Sequence, residues 1–267
     1  MPVAQVDDVR LHYELVGEGP RCLFISGTNS DLRVGPTVLD GPLPTACTVL
    51  AYDHRGMGRS DKPVDGYSMA RYADDAAGLL DAVGWDRCAV VAVSFGGMVA
   101  QELALRHPHR VERLVLACTS SGGDGGSSFP FETMSGLDPM TRAATLLPLL
   151  DTRWDAAWQE AHPDAVAGTA ARYGAGDAHP EPETAAAGVR QLEARAEHDT
   201  FDRLGQIDVP VLVVAGRYDA VAPPENQEAL AAQIPDARLE WCEGGHLFLT
   251  QDRTAWERII GFVTAAG

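Results

Sequence analysis

Six short apolar runs recur along the chain: RCLFISG (21–27), CTVLAYD (47–53), CAVVAVS (88–94), RLVLACT (113–119), VPVLVVAG (209–216) and ARLEWCE (237–243). A strand covered on one face alternates apolar and polar positions, so near-continuously apolar runs of this length point to strands buried on both faces of a parallel sheet. Between them lie MARYADDAAGLLDAVG (69–84), GGMVAQELALRHP (96–108), PENQEALAAQIP (224–235) and RTAWERIIGFVTAAG (253–267), with apolar residues spaced three and four apart. That is the period of a helix with one buried face. The alternation predicts an α/β fold: a mostly parallel central sheet with helices on both faces.

One stretch breaks the rhythm. From about Gly122 to Gln206 there is no strand-like run, only Ala-rich, Trp-bearing helical pattern punctuated by Gly and Pro. It leaves the sheet through SGGDGGSS (121–128) and returns at IDVP (207–210), both turn-rich junctions. The expected organisation is a core of residues 1–121 and 207–267 with a helical cap inserted over 122–206.

Composition and charge narrow the classes. A chain of 267 residues, 45% hydrophobic and 22% charged, has enough apolar surface for one large core. Its net charge of −17 repels phosphate backbones and anionic membrane surfaces, which argues against nucleic acid or a membrane as partner. The N-terminus lacks a basic segment followed by an apolar one, and no apolar run approaches the roughly 18 residues of a membrane span. A cytoplasmic protein acting on a small molecule is expected, with assembly into a homo-oligomer left open. The five cysteines, Cys22, Cys47, Cys88, Cys118 and Cys242, are odd in number and mostly inside apolar runs, which reads as reduced, buried thiols. No C-x-x-C or H-E-x-x-H spacing suggests a metal, and neither metal nor cofactor is expected.

Candidate chemistry begins at AVSFGGM, where Ser94 ends an apolar run just before a helical pattern. The G-x-S-x-G turn exposes a nucleophilic serine between strand and helix, but here the first position is Ala92. Taken alone, the segment allows either a nucleophile or a serine capping the helix. A serine hydroxyl needs a base, and the base an orienting acid. Asp219 follows the run VPVLVVAG, and His246 lies in the Gly-flanked loop after ARLEWCE. The order Ser, Asp, His is that of one such arrangement.

With these three positions, and with DHRGMGRSDKP (53–63) after the second run, the chain resembles the α/β-hydrolase superfamily over nearly its whole length. EHDTFDRLGQIDVPVLVVAGRYDAVAPPE (197–225) makes it most similar to the enol-lactonase and cofactor-free haloperoxidase group. The resemblance implies a Ser94–His246–Asp219 triad acting on an ester, lactone or related acyl substrate. It implies structural roles for His54 and Arg55. The Phe95 amide would be one oxyanion donor and the Thr28 amide the other. Ser26 stands where many relatives carry histidine, and a backbone donor tolerates that exchange.

Around this site, Asn29, Ser30 or Arg33 of the loop TNSDLR (28–33) stand near the expected substrate, and Arg33 suits a substrate carboxylate. Candidate lining residues from the cap are Phe129, Phe131, Met134, Leu137, Leu146, Trp154 and Trp158, with Leu247 beside the histidine. Most aromatic residues at helical spacing are packing. His198 and Asp199, adjacent near the end of the cap, offer a second polar contact, with solvent-exposed helix residues as the expected reading. Three functions fit: a serine hydrolase, a perhydrolase, lyase or cyclase using the same residues, and a ligand-binding protein with an idle triad. A nucleophilic aspartate is excluded by Ser94 itself.

Overall fold

A computed structural model of the chain describes residues 2–173 and 181–265. Eight strands form one sheet: β1 (Val3–Val6), β2 (Val9–Val16), β3 (Arg21–Ile25), β4 (Thr48–Tyr52), β5 (Cys88–Val93), β6 (Val111–Ala117), β7 (Val211–Gly216) and β8 (Ala237–Cys242). Their order across the sheet is β1-β2-β4-β3-β5-β6-β7-β8, antiparallel at the β1–β2 and β2–β4 pairs and parallel elsewhere. The helices are α1 (Met69–Ala82), α2 (Phe95–Arg106), α3 (Pro139–Leu150), α4 (Ala156–Ala161), α5 (Pro163–Tyr173), α6 (Pro182–Ala196), α7 (Pro224–Gln233), α8 (Phe248–Gln251) and α9 (Ala255–Val263).

The continuous apolar runs feed two cores at once. In β5, Val90 and Ala92 join the core beneath α1, α2 and α7, while Ala89 and Val91 join the one beneath α9. In β7, Val211 and Val213 face the first core, and Leu212 and Val214 the second. Successive side chains on a strand point to opposite faces, so a strand between two layers has no polar side to show. All five cysteines are buried and unpaired within these layers.

One element has no counterpart among the apolar runs, and one expectation needs correction. The hairpin β1–β2 was not evident in the apolar runs, because it extends the sheet as an antiparallel edge. In β2, Val9 and Leu11 are buried while Arg10 between them is exposed, a one-sided pattern too short to stand out. Helix α2, read as one-faced, is buried on every side from Phe95 to Ala104. Its outer face is covered by the chain returning to β7, where Thr200 donates to the Gln101 side chain at 2.6 Å and Arg203 pairs with Glu102.

Between β6 and β7 the described residues form α3 to α6 and short 3-10 turns, without a strand. Residues 174–180 of the expected cap lie outside the described residues.

Candidate active site

Ser94 lies between the last residue of β5 and the first of α2, with φ 55° and ψ −118°. A non-glycine residue at such a φ carries roughly 1–3 kcal/mol of strain and persists only when its surroundings fix it. The Ser94 N–H donates to the Ala117 carbonyl at 2.8 Å, and the Thr119 hydroxyl donates to the Ser94 carbonyl at 2.8 Å. The neighbouring glycines are steric necessities. A β-carbon on Gly96 would lie 2.1 Å from the Ile25 carbonyl oxygen, and one on Gly97 would lie 2.5 Å from Thr119 Cβ. Ser94 makes no capping hydrogen bond with its side chain, which removes the helix-cap reading.

The Ser94 hydroxyl stands 3.1 Å from His246 Nε2, and His246 Nδ1 stands 2.8 Å from Asp219 Oδ2. The second carboxylate oxygen of Asp219 accepts the Val221 and Ala222 amides at 2.8 and 2.9 Å. That fixes the carboxylate, and the carboxylate fixes the ring. The histidine loop is clamped from the other side: the His246 N–H donates to the Leu150 carbonyl at 2.6 Å. A β-carbon on Gly245 would lie 2.0 Å from the same oxygen, so only glycine lets the end of α3 approach.

Cys118 is the third member of a cluster in which ligand atoms of Cys118, Asp219 and His246 lie within 4.8 Å of one another. A metal there would need the thiolate. Burial, reinforced by the Asp219 charge, pushes the Cys118 thiol far above its ordinary range, so it is a protonated neighbour of the histidine–aspartate pair.

The loop after β3 runs beside the serine: a β-carbon on Gly27 would lie 3.7 Å from Ser94 Cβ. Neither the Thr28 nor the Phe95 amide has an acceptor among the described residues. His54, fully buried, holds this loop from below with Nε2 at 3.1 Å from the Ser26 carbonyl. Burial pulls its pKa down to about 4, so a neutral ring donates Nε2–H. Tyr52, Tyr72 and Phe95 meet its ring edge-on at 5.0 to 5.5 Å. Arg55 pairs with the buried Asp75 at 2.6 Å.

Asn29 adopts φ 55°, and its N–H donates to the Gln191 side chain of α6 at 2.8 Å. Arg33, expected near a substrate carboxylate, pairs with Asp31 at 2.6 Å and with Glu181 at 2.9 Å. Above the histidine, Met134, Leu146, Leu150 and Val221 form an apolar cluster with Phe129, Phe131, Leu137, Trp154 and Leu247 packed against it. Trp158 lies outside this cluster, stacked between Trp154 and the exposed His162. His198 is buried, against expectation, whereas Asp199 is exposed. The returning chain that covers α2 also encloses His198.

A family model described as the alpha/beta hydrolase fold matches residues 24–252. The chain belongs to that family. This alpha/beta hydrolase is 30% identical over 272 residues to a protein of Azorhizobium caulinodans provisionally named carbamate hydrolase RutD, covering 98% of each chain. It is 36% identical over 265 residues to a 2-hydroxymuconate semialdehyde hydrolase of Pseudomonas putida, covering 91% of this chain and 86% of that one. The enol-lactonase of Burkholderia xenovorans LB400 superposes with a TM-score of 0.79 at 27% identity, covering 99% of this chain and 100% of that one. Like these relatives, the chain is a hydrolase.

Two contacts of this candidate site escaped sequence reasoning: that of Gln191 with the Asn29 amide, and the Leu150 carbonyl that anchors His246. The structural role expected of His54 takes the form of a prop under the Ser26 carbonyl.

Proposed function

We propose that the chain is a serine hydrolase of carboxylic esters or lactones of small to medium size and partly hydrophobic character. The observation that carries this is the hydrogen-bonded sequence Ser94 Oγ, His246, Asp219, with spacings of 3.1 and 2.8 Å. In this reading Ser94 Oγ attacks the carbonyl carbon as its proton passes to His246 Nε2. The imidazolium formed is stabilised by Asp219. The former carbonyl oxygen accepts from the Phe95 and Thr28 amides. Collapse expels the alcohol, which leaves with the proton from His246, and water then cleaves the acyl-enzyme by the same steps.

The apolar cluster around Met134, Trp154 and Leu247 supports a hydrophobic portion in the substrate. The named activities of the relatives span lactone, carbamate and semialdehyde substrates; the ester or lactone is the reading their common acyl chemistry supports.

The test is turnover of p-nitrophenyl esters and simple lactones together with labelling by a fluorophosphonate. Ser94→Ala is expected to lose both, with turnover falling on the order of 10⁴-fold or more, while its circular dichroism stays native. Labelling or turnover that survives in Ser94→Ala would refute a covalent role for that residue.

A further inference from the structure

A cavity of about 210 Å³ lies where the chain leaves β6 and where α6 ends; Met98, Ser127, Ser128, Glu132, Arg195 and His198 are among its lining residues. Met98 sits four residues along α2 from Ser94. Arg195 is 5% exposed and has no carboxylate within 4.0 Å among the described residues. Burying a lone guanidinium costs several kcal/mol in general. Here burial pulls its pKa down to about 10, and it still carries its charge at neutral pH.

The donors of Arg195 are only partly used. One terminal nitrogen donates to the Phe129 carbonyl at 2.9 Å and the other to the Ser128 hydroxyl at 2.6 Å, with Phe131 against the guanidinium at 4.8 Å. Nε has no acceptor. A guanidinium has five N–H donors, so three remain open. His198, also 5% exposed, makes no well-formed hydrogen bond at either ring nitrogen, although the Ser120 backbone and the charges of Glu102 and Asp199 favour its protonated form against the larger effect of burial. Two buried donor groups thus line one cavity with unfilled valence. The acid acting on Arg195 is Glu132, exposed at the rim and outside ion-pair distance.

We propose that this cavity binds a small oxyanion, a carboxylate or phosphate group, with Arg195 as its counter-ion and His198 as a neutral donor. Two oxygens on one centre match the paired N–H vectors of a guanidinium. The cavity has room for inorganic phosphate or a four-carbon dicarboxylate.

The proposal is tested by isothermal titration of the full chain with sodium phosphate and, separately, sodium succinate, with sodium chloride holding ionic strength constant. Saturable one-to-one binding to at least one anion is expected; tighter phosphate binding assigns a phosphoryl ligand, tighter succinate binding a carboxylate. Arg195→Gln should weaken the preferred anion at least about 10-fold. Glu132→Gln, which removes a like charge from the rim, should tighten it by about 3-fold. Absence of saturable binding to both anions overturns the site, as does equal affinity in Arg195→Gln. If Arg195→Gln does not fold, Glu132→Gln decides: unchanged or weaker affinity overturns the proposal.

Discussion

Ala92 places a methyl group under the turn that carries Ser94, in register with Ile25 on one side and Leu116 on the other, and the methyl is fully buried. It points into the core beneath α2, away from the turn itself. The close approach that demands glycine occurs two residues after Ser94, at Gly96 against the Ile25 carbonyl. Ala92→Gly should therefore keep esterase kcat/KM within about 3-fold and lower stability by about 1 kcal/mol, from the lost methyl and the added chain freedom. Urea unfolding and steady-state kinetics check both. A gain in stability would mean that the methyl is strained. Ser94, Asp219 and His246 were legible in the sequence because each follows the end of an apolar run, where a parallel sheet presents its loops. His54 and Gln191 were not legible in their contacts, since their partners lie 28 and 162 residues away.

Helix α6 and the loop after β3 are joined at two points. Gln191 accepts the Asn29 N–H, and Arg33 of the same loop pairs with Glu181 just before α6. Gly188 lets α6 come close, since a β-carbon there would already lie 3.2 Å from the Asn29 side chain. The Thr28 amide of the proposed mechanism is thus aimed partly by α6. Gln191→Leu, which keeps the volume and removes the acceptor, should lower kcat about 10-fold with KM changed less, and Gln191→Glu, which restores an acceptor, should recover part of it. Equal kcat in wild type and Gln191→Leu would sink this coupling. The same cross-links explain which elements the sequence hid. The inner strands β4, β3, β5, β6 and β7 were legible because each feeds two apolar layers, whereas β8 is a half-buried edge strand with Arg238 exposed. The β1–β2 edge buries one side only, and α2 loses its exposed face to the chain around Thr200 and Arg203.

At the scale of the molecule, His54 and His198 are, among the described residues, buried rings held neutral by burial. Burial pulls both His54 and His198 from 6.5 to about 4. Between those values the unfolded chain binds protons that the folded chain refuses, so stability is complete above pH 6.5 and falls as pH drops toward 4. Each contributes on the order of 3 kcal/mol to that fall. The buried carboxyls of Asp53 and Asp75, which burial pushes up, work in the opposite direction and moderate the slope. Urea midpoints at pH 7.5 and 4.5 measure the net effect; His54→Gln, which retains a donor for Ser26, should flatten it, and an unchanged pH dependence would count against the buried neutral ring. The clamp between α3 and the histidine loop has a different consequence, for exchanging parts between homologues. Leu150 holds His246 through a backbone bond, and Gly245 admits it. A chimera that takes α3 from a relative must keep residues 150 and 245 as a matched pair, because a join made between them would bring a foreign helix end against the loop that carries His246.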